Sequence, residues 1–190
     1  MEKVIHDNKK FEGVDYTGKS LSNREFNECT FVRCNFNSAD LSGNQFIDCE
    51  FVDCDLSMAK TEQTGLKLCV FKNSKLLGVD FSKCSTFLFA VKFDNCLLDY
   101  AVFYKMKIKK TLFEHCSLKE ANFAECDLSA SRFTECNLEK TVFENTNLTE
   151  VDFRTAQNYQ IHPELNRIKK AKFSYPGVLG LLMGYGIVIE

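Results

Sequence analysis

The chain has 190 residues, including 18 Phe, 10 Cys and no Trp, and a formal net charge of −2. That length suits one domain. No run of ~18 apolar residues exists to form a membrane helix, and Met1 to His6 is too short and polar for a secretory leader.

A five-residue period organises almost everything that follows. It is cleanest from Thr111 to Phe153, where Phe113, Leu118, Phe123, Leu128, Phe133, Leu138, Phe143, Leu148 and Phe153 fall five apart. Two residues before each stands a smaller one, such as Cys116, Ala121, Cys126 or Ser131. Five matches neither the 3.6 of a helix nor the 2 of a strand. It matches a chain that turns a corner every five residues, sending one large and one small side chain inward and three outward. Such a coil buries its core only by stacking on copies of itself.

In chain order, residues 1–10 are polar apart from Val4 and Ile5 and are expected to fray or lie over the first turn. The large positions then run Phe11, Tyr16, Leu21, Phe26, Phe31, Phe36, Leu41, Phe46, Phe51 and Leu56. Lys9, Lys19 and Arg24 hold small positions of the first turn and must reach solvent through an open end, because unpaired burial is costly. Asn44 is the one polar intruder between Cys29 and Ala59. Thr61 stands where Phe or Leu is expected and reads as a core threonine bonded to backbone.

The register resumes at Leu66, Phe71, Leu76 and Phe81, then slips. The next series is Leu88, Phe93, Leu98, Phe103 and Ile108, so two residues are inserted between Ser82 and Leu88, as in a bulge at one corner. With Leu88 and Ile108 in one column, Phe87 is expected beside Lys107 and Phe89 beside Lys109, both rings outward. Phe87, Phe89, Lys105, Lys107, Lys109 and Lys110 then form a candidate contact patch.

All ten cysteines occupy small inward positions, where they act as small hydrophobes. No Cys-x-x-Cys pair occurs, so neither a zinc site nor another metal is expected. A buried thiol ladder fits a reducing compartment, the cytoplasm. Cys29, Cys49 and Cys69 are spaced by 20, as are Cys96, Cys116 and Cys136. Four pentapeptides per turn place each set in one column, giving a square coil of about seven turns and roughly 34 Å. The coil is assigned to residues 1–155.

Residues 156–190 read differently. Asn158 to His162 resembles a linker, and from Pro176 a short helix is expected to stop at Gly184 or Gly186. Ile187-Val188-Ile189 looks like a short strand. This segment is the natural cap for the last turn. Val178, Leu179, Leu181, Leu182 and Met183 exceed what a plug needs. With Ile187, Val188 and Ile189 they are expected to join two copies about a twofold axis. Gly177, Gly180 and Gly184 would let the second helix approach.

Ala39-Asp40-Leu41-Ser42-Gly43 and Ala121-Asn122-Phe123 resemble the A(D/N)LXX motif of pentapeptide-repeat proteins, over about residues 9–155. The resemblance implies an all-β, right-handed quadrilateral β-helix with a short C-terminal helical cap. Asn35 to Gly43, Cys54 to Ala59 and the ending Leu181 to Ile189 are similar to the quinolone-resistance (Qnr-type) members. That likeness implies homodimers that bind DNA gyrase or topoisomerase IV as mimics of duplex DNA, without touching nucleic acid themselves. A scaffold for some other protein is the alternative.

Two features depart from that group. The chain lacks projecting loops apart from the bulge, and its charge is banded. Residues 1–66 carry 7 basic and 12 acidic groups, residues 67–110 carry 9 lysines against 3 aspartates, and residues 111–160 carry 4 against 9. No catalytic constellation is apparent: His6, His115 and His162 are far apart, and no phosphate-binding glycine loop occurs. No cofactor and no enzymatic activity are expected.

Overall fold

The computed structural model describes residues 3–188. Its strands are short: β1 (Val4–Asp7), β2 (Lys10–Glu12), β3 (Arg24–Asn27), β4 (Thr30–Val32), β5 (Gln45–Ile47), β6 (Glu50–Val52), β7 (Gly65–Lys67), β8 (Cys69–Lys72), β9 (Val91–Asp94), β10 (Leu112–Glu114) and β11 (Arg132–Thr134). They form two parallel sheets on adjacent sides of a square coil, in the orders β1-β3-β5-β7 and β11-β10-β9-β8-β6-β4-β2. Isolated parallel bridges such as Asp40↔Lys60 and Asn122↔Val142 continue the ladder on the other sides. Pairing partners are 20 residues apart, as in Phe31↔Phe51 and Phe113↔Phe133. The result is the expected β-solenoid of about seven turns.

The core is a column of rings. Phe11, Phe31, Phe51, Phe71, Phe93, Phe113, Phe133, Phe153 and Phe173 stack face to face with centroids 4.8 to 5.5 Å apart. That spacing is the strand separation of any paired sheet, ~4.7–4.9 Å, slightly opened. Phe81, Phe103, Phe123 and Phe143 stack on another side and meet the first column edge-on, as Phe113 and Phe123 do at 5.7 Å and 83°. Both arrangements suit the quadrupoles of aromatic rings.

All ten cysteines are free and buried. They do more than fill space. Cys49, Cys69 and Cys136 donate their thiols to the carbonyls of Phe26, Phe46 and Phe113, each 23 residues back. Thr64, Thr141 and Thr146 donate to Leu41, Leu118 and Phe123 over the same interval. Asn44 and Asn166 do so to Leu21 and Phe143. The small position therefore takes any compact donor, and Asn44 is a satisfied member of the series. Thr61 likewise donates to the carbonyl of Asp80 at 2.5 Å.

Corners are made two residues after each large side chain, where residues such as Glu28, Asp48, Glu120 and Glu135 have φ between 50° and 55°. The left-handed conformation costs an L-residue roughly 1–2 kcal/mol. The Asp or Asn just before the large residue offsets part of it. Asp40, Asp55, Asn122 and Asp127 each accept the backbone N–H two residues on, at 2.9 to 3.1 Å. The polar second residue of the repeat is thus a turn clamp.

Several expectations need correction. Of the two expectations for the N-terminal segment, Val4–Asp7 meets the second and lies on the first turn: β1 pairs with β3, and His6 takes a large position, stacking on Phe26 at 4.8 Å. Lys9 and Lys19 do stay exposed at this open end. At the slip, Cys69 pairs with Val91, which confirms the two extra residues. Leu88, however, does not enter the core. The insertion folds as a tight turn with Leu88 at φ +56°, leaving it 65% exposed, and Phe89 packs inward against Phe81 at 6.3 Å.

The coil also outlasts residue 155. Bridges Asn147↔Arg167 and Asp152↔Lys172 carry it one more turn, with Ile168 and Phe173 in large positions. Tyr159 and Ile161, assigned to a linker, are buried. The cap is two 3₁₀ turns, Pro176–Leu181 and Met183–Tyr185, ended by Gly186 in the left-handed region. Ile187 and Val188 are not in a strand, and Ile189 lies outside the described residues. Among the described residues, no helix is long and apolar enough to cross a membrane.

Candidate functional site

With the interior filled by rings and small donors, recognition falls to the three outward positions of each repeat. Three regions stand out. The first is an acidic collar. Glu120, Glu125 and Glu135 sit at three of the four corners of one turn, and Glu150 lies one turn above the remaining corner, Ala130. The carboxylates thus point to all four sides instead of forming one stripe. Several are engaged: Glu125 with Lys105 at 3.4 Å, Glu139 with Lys119 at 3.8 Å, and Glu150 with Lys170 at 3.8 Å.

The second is the basic belt of residues 67–110. Lys72 pairs with Glu50, Lys92 with Glu114 at 2.9 Å, and Lys109 with Asp127 at 3.1 Å. Lys105 lies over the Tyr104 ring at 4.7 Å, and Tyr104 donates to Glu125 at 2.9 Å. Hydrogen bonding to Tyr104 and then the charge of Glu125 hold the Lys105 ammonium above its ordinary pKa. The expected patch is only partly assembled. Phe87 is exposed, but Lys67 of the turn below stands over its ring at 5.2 Å, in the role expected of Lys107. Phe89 is turned inward and leaves the patch. The tight turn accounts for both differences, since it throws Phe87 and Leu88 out together and swings the next residue in. Sequence reasoning missed Lys67, Leu68, Tyr100 and Tyr104. The signal was there for the tyrosines, which stand in outward positions after Leu98 and Phe103.

The third region is the C-terminal end. Leu181 packs on the core, while Val178, Leu179 and Met183 are 39%, 43% and 62% exposed, and Tyr185, Ile187 and Val188 are also exposed. Leu182 is half-buried. The glycines do not face a partner. A side chain at Gly180 would meet the Tyr159 carbonyl at 2.3 Å, so the missing side chain lets the cap lie flat on the last turn. Beside the cap runs an open groove of about 1010 Å³, lined by Glu139, Arg154, Tyr159, Gln160 and Met183 among others. The Tyr159 hydroxyl is buried without a hydrogen-bond partner.

Burial pushes the Cys54 and Cys126 thiols up to about 12, so these two are poor nucleophiles and ligands. Among the described residues, no three His, Cys, Asp or Glu side chains gather as a metal site.

A straight, four-sided parallel β-solenoid with a solid core and patterned sides defines the class. The chain belongs to the pentapeptide-repeat family: a family model described as a pentapeptide repeat region matches residues 44–123 and 108–175, and one described as pentapeptide repeats (8 copies) matches residues 20–57. No curated protein matches the sequence. Among solved structures, a trypsin-treated variant of QnrB1, a plasmid-mediated fluoroquinolone resistance protein, is similar at 20% identity and a TM-score of 0.63. The match covers 100% of this chain and 99% of that one. A second trypsin-treated QnrB1 variant gives 20% identity and 0.62, covering 99% of each chain.

Proposed function

We propose that this protein is a non-catalytic, cytoplasmic binding rod that engages DNA gyrase or topoisomerase IV in place of duplex DNA and protects the enzyme from quinolones. The observation that carries the reading is the match to QnrB1 along the whole of both chains, C-terminal end included. The acidic collar supports it, because a basic DNA-binding saddle attracts carboxylates fixed on a rigid rod. Homodimerisation belongs to the same reading. Val178, Leu179 and Met183 form an exposed apolar surface on the cap, which a twofold copy would bury by a self-complementary contact.

The test is gyrase supercoiling with and without ciprofloxacin, titrated with the purified protein. Protection from the drug, or inhibition of supercoiling, is the expected outcome. No effect on gyrase, nor on topoisomerase IV decatenation measured alongside, would leave the second reading, a scaffold for another protein. The basic belt favours that alternative, since it interrupts the acidic surface at mid-rod.

A further inference from the structure

The periodic core places a hydrophobe inward once in every repeat, so apolar side chains clustered outside it need another explanation. One such cluster, away from the cap, lies at the register break. Phe87 and Leu88 are 67% and 65% exposed, and Leu68, at a corner of the turn below, is 64% exposed. Burying such a side chain stabilises a fold by removing apolar surface from water. The chain forgoes this twice within one tight turn, although Phe89 beside them does reach the core. Phe87 is steadied where it stands by the Lys67 ammonium, 5.2 Å from its ring.

The surroundings are positively charged and partly unspent. Residues 67–110 have 9 lysines and 3 aspartates, a surplus of six on a chain whose net charge is −2. Lys72, Lys92, Lys105 and Lys109 are neutralised by neighbours. Among the described residues, the other five form no ion pair, and four of them, Lys67, Lys83, Lys107 and Lys110, lie near the insertion. By the register these four flank the insertion: Lys67 below it, Lys83 leading into it, and Lys107 and Lys110 on the turn above.

We propose that the Phe87–Leu88 wedge, framed by these four lysines, docks an acidic protein segment that carries an aromatic or branched aliphatic side chain. Charge complementarity sets the sign of the partner. The wedge sets its class. A nucleic-acid track needs a run of free cations along the strand, and here four of the nine lysines are already paired with carboxylates. An apolar anchor ringed by charge is instead the pattern of a protein hot spot. This surface is separate from the acidic collar and does not depend on the identity of the collar's target.

The test uses the full chain and fluorescence anisotropy at physiological salt. The probes are a fluorescein-labelled synthetic peptide of Glu and Asp with one Phe and two Leu, the same peptide with those three replaced by Ser, and a single-stranded oligo-dT. The first peptide is expected to bind and to weaken at least about tenfold with Phe87→Ser plus Leu88→Ser, the scale of an anchoring residue. Lys107→Glu plus Lys110→Glu should weaken it comparably, and added salt should weaken it in the wild type. All four positions are on the surface, so circular dichroism of the variants should match the wild type. Failure of the first peptide to bind, equal binding of the Ser peptide, unchanged binding to both variants, or tighter binding of oligo-dT would each overturn the proposal.

Discussion

Replacing Phe123 by Ala isolates what holds the coil together. The ring is fully buried, stacked between Phe103 at 4.8 Å and Phe143 at 5.5 Å, and met edge-on by Phe113 at 5.7 Å and Phe133 at 5.9 Å. Collapse into the space is blocked, because backbone bonds such as Phe103 N–H to Asn122 carbonyl and Phe123 N–H to Val142 carbonyl set the separation of the turns. The cavity term therefore adds to the transfer term, for a loss of about 3–5 kcal/mol. At about 2–4 °C per kcal/mol for a chain of this size, the melting midpoint should fall by roughly 6–20 °C. Glu125→Ala, two residues away, removes only exposed contacts to Lys105 and Tyr104 and should change stability by about 0.5 kcal/mol or less. Phe11→Ala, at the open end where the ring is already half-buried, should cost less than Phe123→Ala. Urea titration of the three variants reads all of this. Equal losses for Phe123→Ala and Glu125→Ala would refute the inward and outward assignment.

The other expectations concern the thiols and the two ends. Native protein should resist a small thiol reagent at pH 8 and react at all ten cysteines once unfolded; rapid native labelling of most would contradict the buried columns. His6 titrates below its ordinary range because of burial first, then Lys9 and Arg24, so its neutral form stabilises the first turn. That contribution is present above the unfolded value of about 6.5 and is lost as pH falls through the folded value. Exchange protection in β1 and β3, corrected for intrinsic rates, should drop on acidification in wild type and stay level in His6→Phe. Light scattering should give a dimer for the intact chain and a monomer for a version ending at Tyr175; a monomeric intact chain at micromolar concentration would remove the dimer.

The fold was legible because every repeat states the same geometry. A spacing of five with partners at 20 leaves one square coil, and even the length of the insertion follows from counting Phe81 to Leu88. Counting could not decide which residue re-enters the core. Leu88 and Phe89 are both apolar, and the turn geometry, with Leu88 left-handed, settles it in favour of Phe89. At the C-terminal end the pattern was present but masked. Asn158 and Pro163 occupy two large positions, which hid Asn166, Ile168, Ala171 and Phe173 continuing the same count. Tyr159, one position late, fills the place Asn158 leaves and meets Phe153 at 5.5 Å with its ring tilted by 44°, a repair no periodic reading anticipates.

The candidate site was less legible for a physical reason. Inward positions are constrained by the ring column and by the carbonyl 23 residues back, so their identity is dictated by the fold. Outward positions carry no such constraint, and a Glu or Lys there costs the coil almost nothing. Information about partners is therefore held only where an outward residue is costly. A carboxylate is not costly, so the collar at Glu120, Glu125, Glu135 and Glu150 is compatible with solvation as well as with binding. A phenylalanine and a leucine left in water are costly, which makes Phe87 and Leu88 the more informative residues. The same reasoning ranks the cap, where Val178, Leu179 and Met183 are exposed on a segment whose glycines already seat it on the last turn. Shaving the collar should thus affect binding alone. Shaving the wedge or the outer face of the cap should affect binding and also raise the solubility of the free protein, because each removes apolar surface from water.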